Sequence, residues 1–158
     1  MPTGNEEIIM LISTRSRYAL RVLARMVSKT RQGESSPFSL AQLSEEEKVS
    51  VRYLEQIFGL LRRNGLVKGK RGPGGGYVLG QPPDEISLFE VIDVLETDFL
   101  PAACMIGDTS CSPDERSEVS GCSLEDVCVT RPLWMKLRRM YYDYMKDKNL
   151  NDLVNGDI

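Results

Sequence analysis

Residues 50–79 confine this chain to a narrow set of folds. Ser50 is an N-cap for a helix whose core side is Leu54, Ile57, Phe58 and Leu61, and Asn64-Gly65 closes that helix as a C-cap pair. Leu66–Arg71 then reads as a strand, Gly72-Pro-Gly-Gly-Gly76 as a turn, and Tyr77-Val-Leu79 as the return strand. Just upstream, Ser39-Leu-Ala-Gln42 has the form of a capping box opening a short helix through about Glu46. Two short helices joined by a tight turn make a helix-turn-helix, and a hairpin directly after it is a wing. The expected fold class is mostly α with a small β-hairpin wing, followed by a long C-terminal helix.

The flanking segments fit around that unit. A first helix runs from about Ser13 to Thr30, with Ala19, Val22, Leu23, Met26 and Val27 on one face. Arg17, Arg21 and Arg25 form a second stripe, either a solvated face or a set of phosphate contacts. Ser87-Leu-Phe-Glu90 is another capping box, opening a helix with Leu88, Val91, Ile92 and Leu95 on one side. From Pro101 to Val129 no period survives, and all four cysteines lie there. So long an aperiodic stretch inside a small domain is unusual unless it carries a function.

Thr130-Arg-Pro132 then starts a long helix, with Thr130 as N-cap and proline in the first turn. Its apolar stripe is Leu133, Leu137, Met140, Tyr141 and Tyr144, widened by Trp134 and Met145. Such a helix after a complete small domain has little of its own to pack on, and pairing with its copy in a second subunit buries it. The expected division is an N-terminal extension (1–12), a winged helix-turn-helix (13–82), a connecting helix (83–100), a cysteine-bearing loop (101–129), a dimerisation helix (130–150) and a C-terminal tail (151–158). Met10 stands directly before the first patterned segment and is an alternative start to Met1.

The net charge of −3 conceals a split. Ser13–Gly72 carries 13 Lys/Arg against 5 Asp/Glu, and the remainder 7 against 18. A basic front of this kind suits an anionic partner. Histidine is absent, which excludes Ser-His-Asp and Cys-His nucleophiles, Cys₂His₂ fingers and Rieske centres. No catalytic constellation is present, so no enzyme is expected. No run of 18 apolar residues occurs, and Ile8–Ile12 is too short for a signal-peptide core, so no membrane partner and a cytoplasmic setting are expected.

A helix-turn-helix places the first turns of its second helix in the major groove. Here those turns carry Ser50, Arg52, Tyr53, Glu55 and Gln56. Arginine pairs bidentately with guanine and glutamine with adenine, while glutamate accepts from cytosine. In the wing, Lys68, Lys70 and Arg71 stand beside the glycine-rich tip, and Arg71 with Pro73 and Gly74 suits a minor groove. The glycine run lacks the Lys-Ser/Thr of a nucleotide-binding loop.

The cysteines are spaced Cys104-x6-Cys111-x10-Cys122-x5-Cys128. None forms a Cys-x₂-Cys knuckle, which argues against a zinc ribbon. Widely spaced thiolates suit an iron–sulphur cluster, and spacing alone leaves redox thiols open beside it.

Several blocks together resemble the iron–sulphur-cluster regulators of bacterial transcription, of the IscR and NsrR type. They are Ser13-Thr-Arg-Ser-Arg-Tyr-Ala-Leu20, Ser50-Val-Arg-Tyr-Leu-Glu-Gln56, Leu61-Arg-Arg-Asn-Gly-Leu-Val67, Arg71-Gly-Pro-Gly-Gly-Gly-Tyr77 and Cys122-x5-Cys128-Val-Thr-Arg-Pro-Leu-Trp134. The likeness extends from about Met10 to Val154. It implies a dimer made through the C-terminal helix, and a cluster held by Cys104, Cys122, Cys128 and a non-cysteine fourth ligand. Where IscR-like members place a histidine ligand this chain has Arg131, which stays protonated, and where NsrR-like members place an aspartate it has Arg17. Cys111, in an apparent insertion, is a candidate for the vacancy, beside Asp108, Asp114 and Glu118. All-cysteine ligation suits 2Fe–2S, slightly favoured here, and 4Fe–4S alike.

The expectation is a homodimeric regulator reading a pseudo-palindromic operator in double-stranded DNA, controlled by a cluster that senses redox state, nitric oxide or iron–sulphur status. The alternatives are a thiol-based or partner-controlled winged-helix repressor without a cluster, and an iron–sulphur carrier or electron-transfer protein.

Overall fold

The computed structural model of the protein describes residues 12–34, 37–96 and 128–158. Eight elements follow in order: α1 (Thr14–Arg31), α2 (Leu40–Glu47), α3 (Val51–Arg63), β1 (Val67–Lys70), β2 (Gly76–Leu79), α4 (Leu88–Leu95), α5 (Arg131–Asp147) and α6 (Leu150–Asn155). This is the expected mostly helical fold with a two-stranded wing.

Serine hydroxyls start four of the helices. Ser13, Ser39, Ser50 and Ser87 each accept from the backbone N–H three residues on, which satisfies one donor that a helix N-terminus leaves unpaired. At Ser87 the capping box is complete, because Glu90 also reaches back to the Ser87 N–H at 2.9 Å. At Ser39 it is not complete, since the Gln42 amide turns to Glu46 at 3.3 Å. Lys48, with φ 56°, ends α2 in a left-handed turn leading straight to Ser50. Gly65, at φ +77°, follows the Asn64 cap of α3 and turns the chain into β1.

One core joins the helices. α1 contributes Ala19, Val22, Leu23, Met26 and Val27, and α3 contributes Leu54, Ile57, Phe58 and Leu61. α4 adds Leu88, Val91 and Leu95, and Leu43 enters from α2. The wing is tied to α3 by Phe58, which meets the Tyr77 ring edge-on at 4.9 Å. β1 and β2 are antiparallel, Val67 opposite Leu79 and Lys70 opposite Gly76. Phe38 adds a short third rung by exchanging two backbone hydrogen bonds with Tyr77. A Cβ at Gly76 would run into the Phe38 carbonyl, so only glycine allows that approach.

Two expectations about the C-terminus need correction. The long helix ends at Asp147, because Lys148 is extended and its carbonyl accepts from the Leu88 N–H while the Leu150 N–H bonds to Ile86. Residues 150–155, expected to lie at the end of a helix and in a tail, form α6 instead. Asn149 and Asp152 make a full capping box, Gly156 at φ +80° closes the helix, and Leu150 is wholly buried in the core beside α1. Thr130 occupies the N-cap position of α5, but its side chain caps nothing. Its hydroxyl lies 3.3 Å from Cys128 Sγ and accepts from Trp134 Nε1 at 3.3 Å.

Candidate nucleic-acid interface

α3 owes its position to its buried face, and its other face is therefore turned outward. Arg52, Glu55 and Gln56 are exposed on that face, with Arg62 and Arg63 at its far end. These three carry complementary hydrogen-bonding edges: a fork of donors, an acceptor, and an amide that does both. Ser50 is exposed as well, but its hydroxyl is engaged by the Tyr53 N–H at 3.3 Å, so its first role is to start the helix. Tyr53 is half-buried and packs its ring edge-on against Tyr18 at 6.0 Å. It joins α3 to α1 more than it faces outward.

The wing tip is a tight turn. The Gly75 N–H bonds to the Gly72 carbonyl at 2.8 Å, with Pro73 and Gly74 between them. Proline followed by a glycine at φ +73° is the residue pattern of a type II turn. Arg71, Pro73 and Gly74 are all exposed, and Lys68 and Lys70 are exposed along β1. A narrow, side-chain-poor tip next to three cations is a shape and charge that enter a groove of duplex DNA.

In the arginine stripe of α1, Arg21 and Arg25 are held by a carboxylate of α2 while each stays about half exposed. Glu47, at the end of α2, is only 6% exposed and takes two guanidinium partners. Arg21 Nε donates to its Oε2 at 3.0 Å, and Arg21 Nη2 donates to its backbone carbonyl at 3.0 Å. Arg25 Nε donates to Oε1 at 2.8 Å. One turn further, Lys29 sits between Glu46 at 2.6 Å and Glu34 at 2.9 Å. Its hydrogen bond to Glu46 raises the ammonium above its usual range and holds the Glu46 carboxyl below its own. The α1 partners of Glu46 and Glu47 lie 17 to 26 residues away in sequence, beyond any local pattern.

Of the four cysteines, Cys104, Cys111 and Cys122 lie outside the described residues. Cys128 is half-buried directly before α5. Hydrogen bonds from the Thr130 side chain and from the Thr130 and Arg131 backbone hold its thiol below the usual range, and the Arg131 charge adds to this. A thiol eased toward thiolate is the form that binds iron or zinc. Among the described residues no cluster of three or more His, Cys, Asp or Glu could hold a metal ion. Among them, too, no helix is long and apolar enough to cross a membrane.

Comparison with known proteins places this arrangement. The family Rrf2, described as "Iron-dependent Transcriptional regulator", matches residues 12–156. The transcriptional regulator IscR of Pectobacterium carotovorum is 35% identical over 147 residues, which is 93% of this chain and 80% of that protein. Among solved structures, CymR, the global cysteine regulator of B. subtilis, is similar with a TM-score of 0.66 and 31% identity, over 90% of this chain and 95% of that one. IscR of T. potens is similar with a TM-score of 0.65 and 25% identity, over 92% and 87%.

Proposed function

The chain belongs to the Rrf2 family of transcriptional regulators, a family of DNA-binding proteins rather than enzymes, and from that premise we propose a homodimer that reads a pseudo-palindromic operator and responds to an iron–sulphur cluster. The observation that carries the reading is the outward face of α3 beside the glycine-tipped wing. Arg52, Glu55 and Gln56 read base edges in the major groove. Arg71, with Pro73 and Gly74 making the narrow tip, enters the adjacent minor groove.

The dimer reading is supported by α5. Leu133, Leu137, Met140 and Tyr144 are 52%, 41%, 58% and 49% exposed. They recur at intervals of four, three and four residues, the heptad spacing of a helix seam. A second copy of the same helix buries that stripe and sets the distance between the two α3 helices, as a two-fold operator requires.

Cys128, with its thiol eased toward thiolate, suits the role of a cluster ligand, together with Cys104 and Cys122 and with Cys111 as the fourth. A bound cluster supplies a link that oxidant, nitric oxide or iron shortage can break. Cys128 bonds to Thr130 at the head of the dimer helix, so a constraint on that sulphur bears on the first turn of α5. The same low-lying thiol also favours a second reading, in which the cysteines sense by thiol oxidation with no cluster.

Two measurements test this. Selection from a random duplex pool by the purified protein returns a two-fold symmetric site if it reads DNA as a dimer, and an unenriched pool overturns that reading. Anaerobic purification with iron and sulphide analysis and a visible spectrum tests the cluster. Protein with no iron, no sulphide and no absorption leaves the thiol reading, which mass spectrometry with and without reductant then checks.

A further inference from the structure

We propose that Arg21, on α1 outside the reading helix and the wing, is a phosphate-contacting residue of the DNA interface, aimed by the buried carboxylate of Glu47. The inference rests on the DNA-binding reading above and adds a residue to it.

A buried carboxylate needs a cationic partner, and Glu47 has two, Arg21 and Arg25. The three side chains together keep one positive charge, and Arg21 remains 53% exposed. Its Nε and Nη2 point inward to Glu47, and its Nη1 makes no hydrogen bond among the described residues. A guanidinium fixed along one edge presents its other edge in a set direction, and a planar fork so held suits a phosphodiester oxygen. Little side-chain freedom is then left to lose on binding.

The position is right as well. Arg21 Cζ lies 5.6 Å from the centre of the Tyr18 ring, and Tyr18 meets Tyr53 edge-on at 6.0 Å. Tyr53 is in the first turn of α3, next to Arg52. Arg21 is thus joined through two rings to the end of the helix that enters the groove, where the flanking backbone passes. Lys29, on the same stripe, is 10% exposed and held between two carboxylates, so it faces the protein. Arg25 is held by Nε alone and has no link to Tyr18 or Tyr53.

The test is the salt dependence of binding to the duplex recovered by selection. Arg21→Ala leaves Arg25 on Glu47, so the carboxylate keeps a partner. Removing one phosphate-binding cation lowers the slope of log affinity against log salt by about 0.9, hence about 1.8 for a dimer. Arg21→Ala is expected to lower the slope by that amount and to leave the ratio of affinities for selected and scrambled duplex unchanged. Arg21→Lys keeps most of the slope, and Glu47→Gln keeps it while lowering affinity, because the guanidinium is no longer aimed. Circular dichroism confirms that each variant is folded, and Arg21→Gln, which still bonds to Glu47, replaces Arg21→Ala if the latter is not. An unchanged slope in Arg21→Ala or Arg21→Gln overturns the phosphate contact. Tighter DNA binding by Glu47→Gln overturns the aiming role, since Glu47 would then be withholding Arg21. Wild-type protein that binds no duplex at any salt overturns the DNA reading itself, a distinct result.

Discussion

α3 and α5 are amphipathic helices of 13 and 17 residues, yet they differ completely in what they bury. α3 sinks Leu54, Ile57, Phe58 and Leu61 into the core and turns arginine, glutamate and glutamine outward. α5 buries no residue fully. It rests on α4 through Tyr142, whose ring meets Phe89 edge-on at 4.7 Å, and leaves Leu133, Leu137, Met140 and Tyr144 to solvent. The same kind of helix therefore serves two ends. Where the apolar face is satisfied within the chain, the polar face is free to read a ligand. Where it is not, the apolar face is left for a partner to cover, which under the dimer proposal is a second copy of the same helix.

The comparison breaks most easily at Phe58, which is fully buried and holds both the core and the wing. Phe58→Ala is expected to cost about 3–5 kcal/mol in denaturant unfolding. Met140→Ala is expected to leave monomer stability within about 0.5 kcal/mol, because Met140 is 58% exposed. A large loss of stability from both substitutions would erase the contrast between the helices.

Leu137→Glu sharpens it from the other side. A carboxylate in a buried seam costs at least about 2 kcal/mol, or roughly 30-fold in the dimer dissociation constant. Sedimentation should show monomers with an unchanged circular dichroism spectrum. A dimer of wild-type strength removes α5 as its seam.

The limited packing of α5 on the body should also show at high pH. Burial pushes the Tyr141 hydroxyl up to about 12 from an ordinary 10.0, with the charges of Glu96 and Asp93 adding to it. The folded state favours the neutral phenol, so its contribution is whole below about pH 10 and is lost as pH rises toward 12. Tyr141→Phe should reduce the alkaline loss of stability between those values in thermal unfolding at stepped pH. An unaltered profile would mean that Tyr141 does not couple α5 to the body.

The smallest effects separate the helix starts. Ser87→Ala removes a complete capping box and is expected to cost about 1 kcal/mol. Thr130→Ala removes no cap and should fall within about 0.5 kcal/mol, while raising the Cys128 thiol toward its usual range. The rate of thiol alkylation against pH reads that shift. Equal stability losses at the two positions would mean that Thr130 caps α5 after all.

What could be read from the sequence was what local chemistry determines. Ser50, Ser87, the Asn64-Gly65 stop and the glycine turn act on their immediate neighbours, so helix-turn-helix and wing are legible in the sequence. So was the outward set Arg52, Glu55 and Gln56, which follows from the helical period of Leu54, Ile57, Phe58 and Leu61. The pairing of Arg21 and Arg25 with Glu47 was not legible, because it joins two helices across more than twenty residues. α6 was missed although its signal was present: Asn149 with Asp152 three residues on, and Gly156 after the last turn. A six-residue helix has too short a period to show, and what gives it a reason to form is tertiary: Leu150 is buried in the core, with Leu153 and Val154 packed against it. Thr130 had the right identity for a cap, but the neighbouring Cys128 and Trp134 engage its hydroxyl instead.

The central claim is that the outward face of α3 reads bases. It is tested most directly by measuring the affinities of wild type and Arg52→Ala for the selected duplex and for a scrambled one of the same length. The expected result is a loss of about 1–3 kcal/mol on the selected duplex, little change on the scrambled one, and hence a collapsed ratio. A ratio equal to that of the wild type would contradict the claim and remove α3 from the reading role.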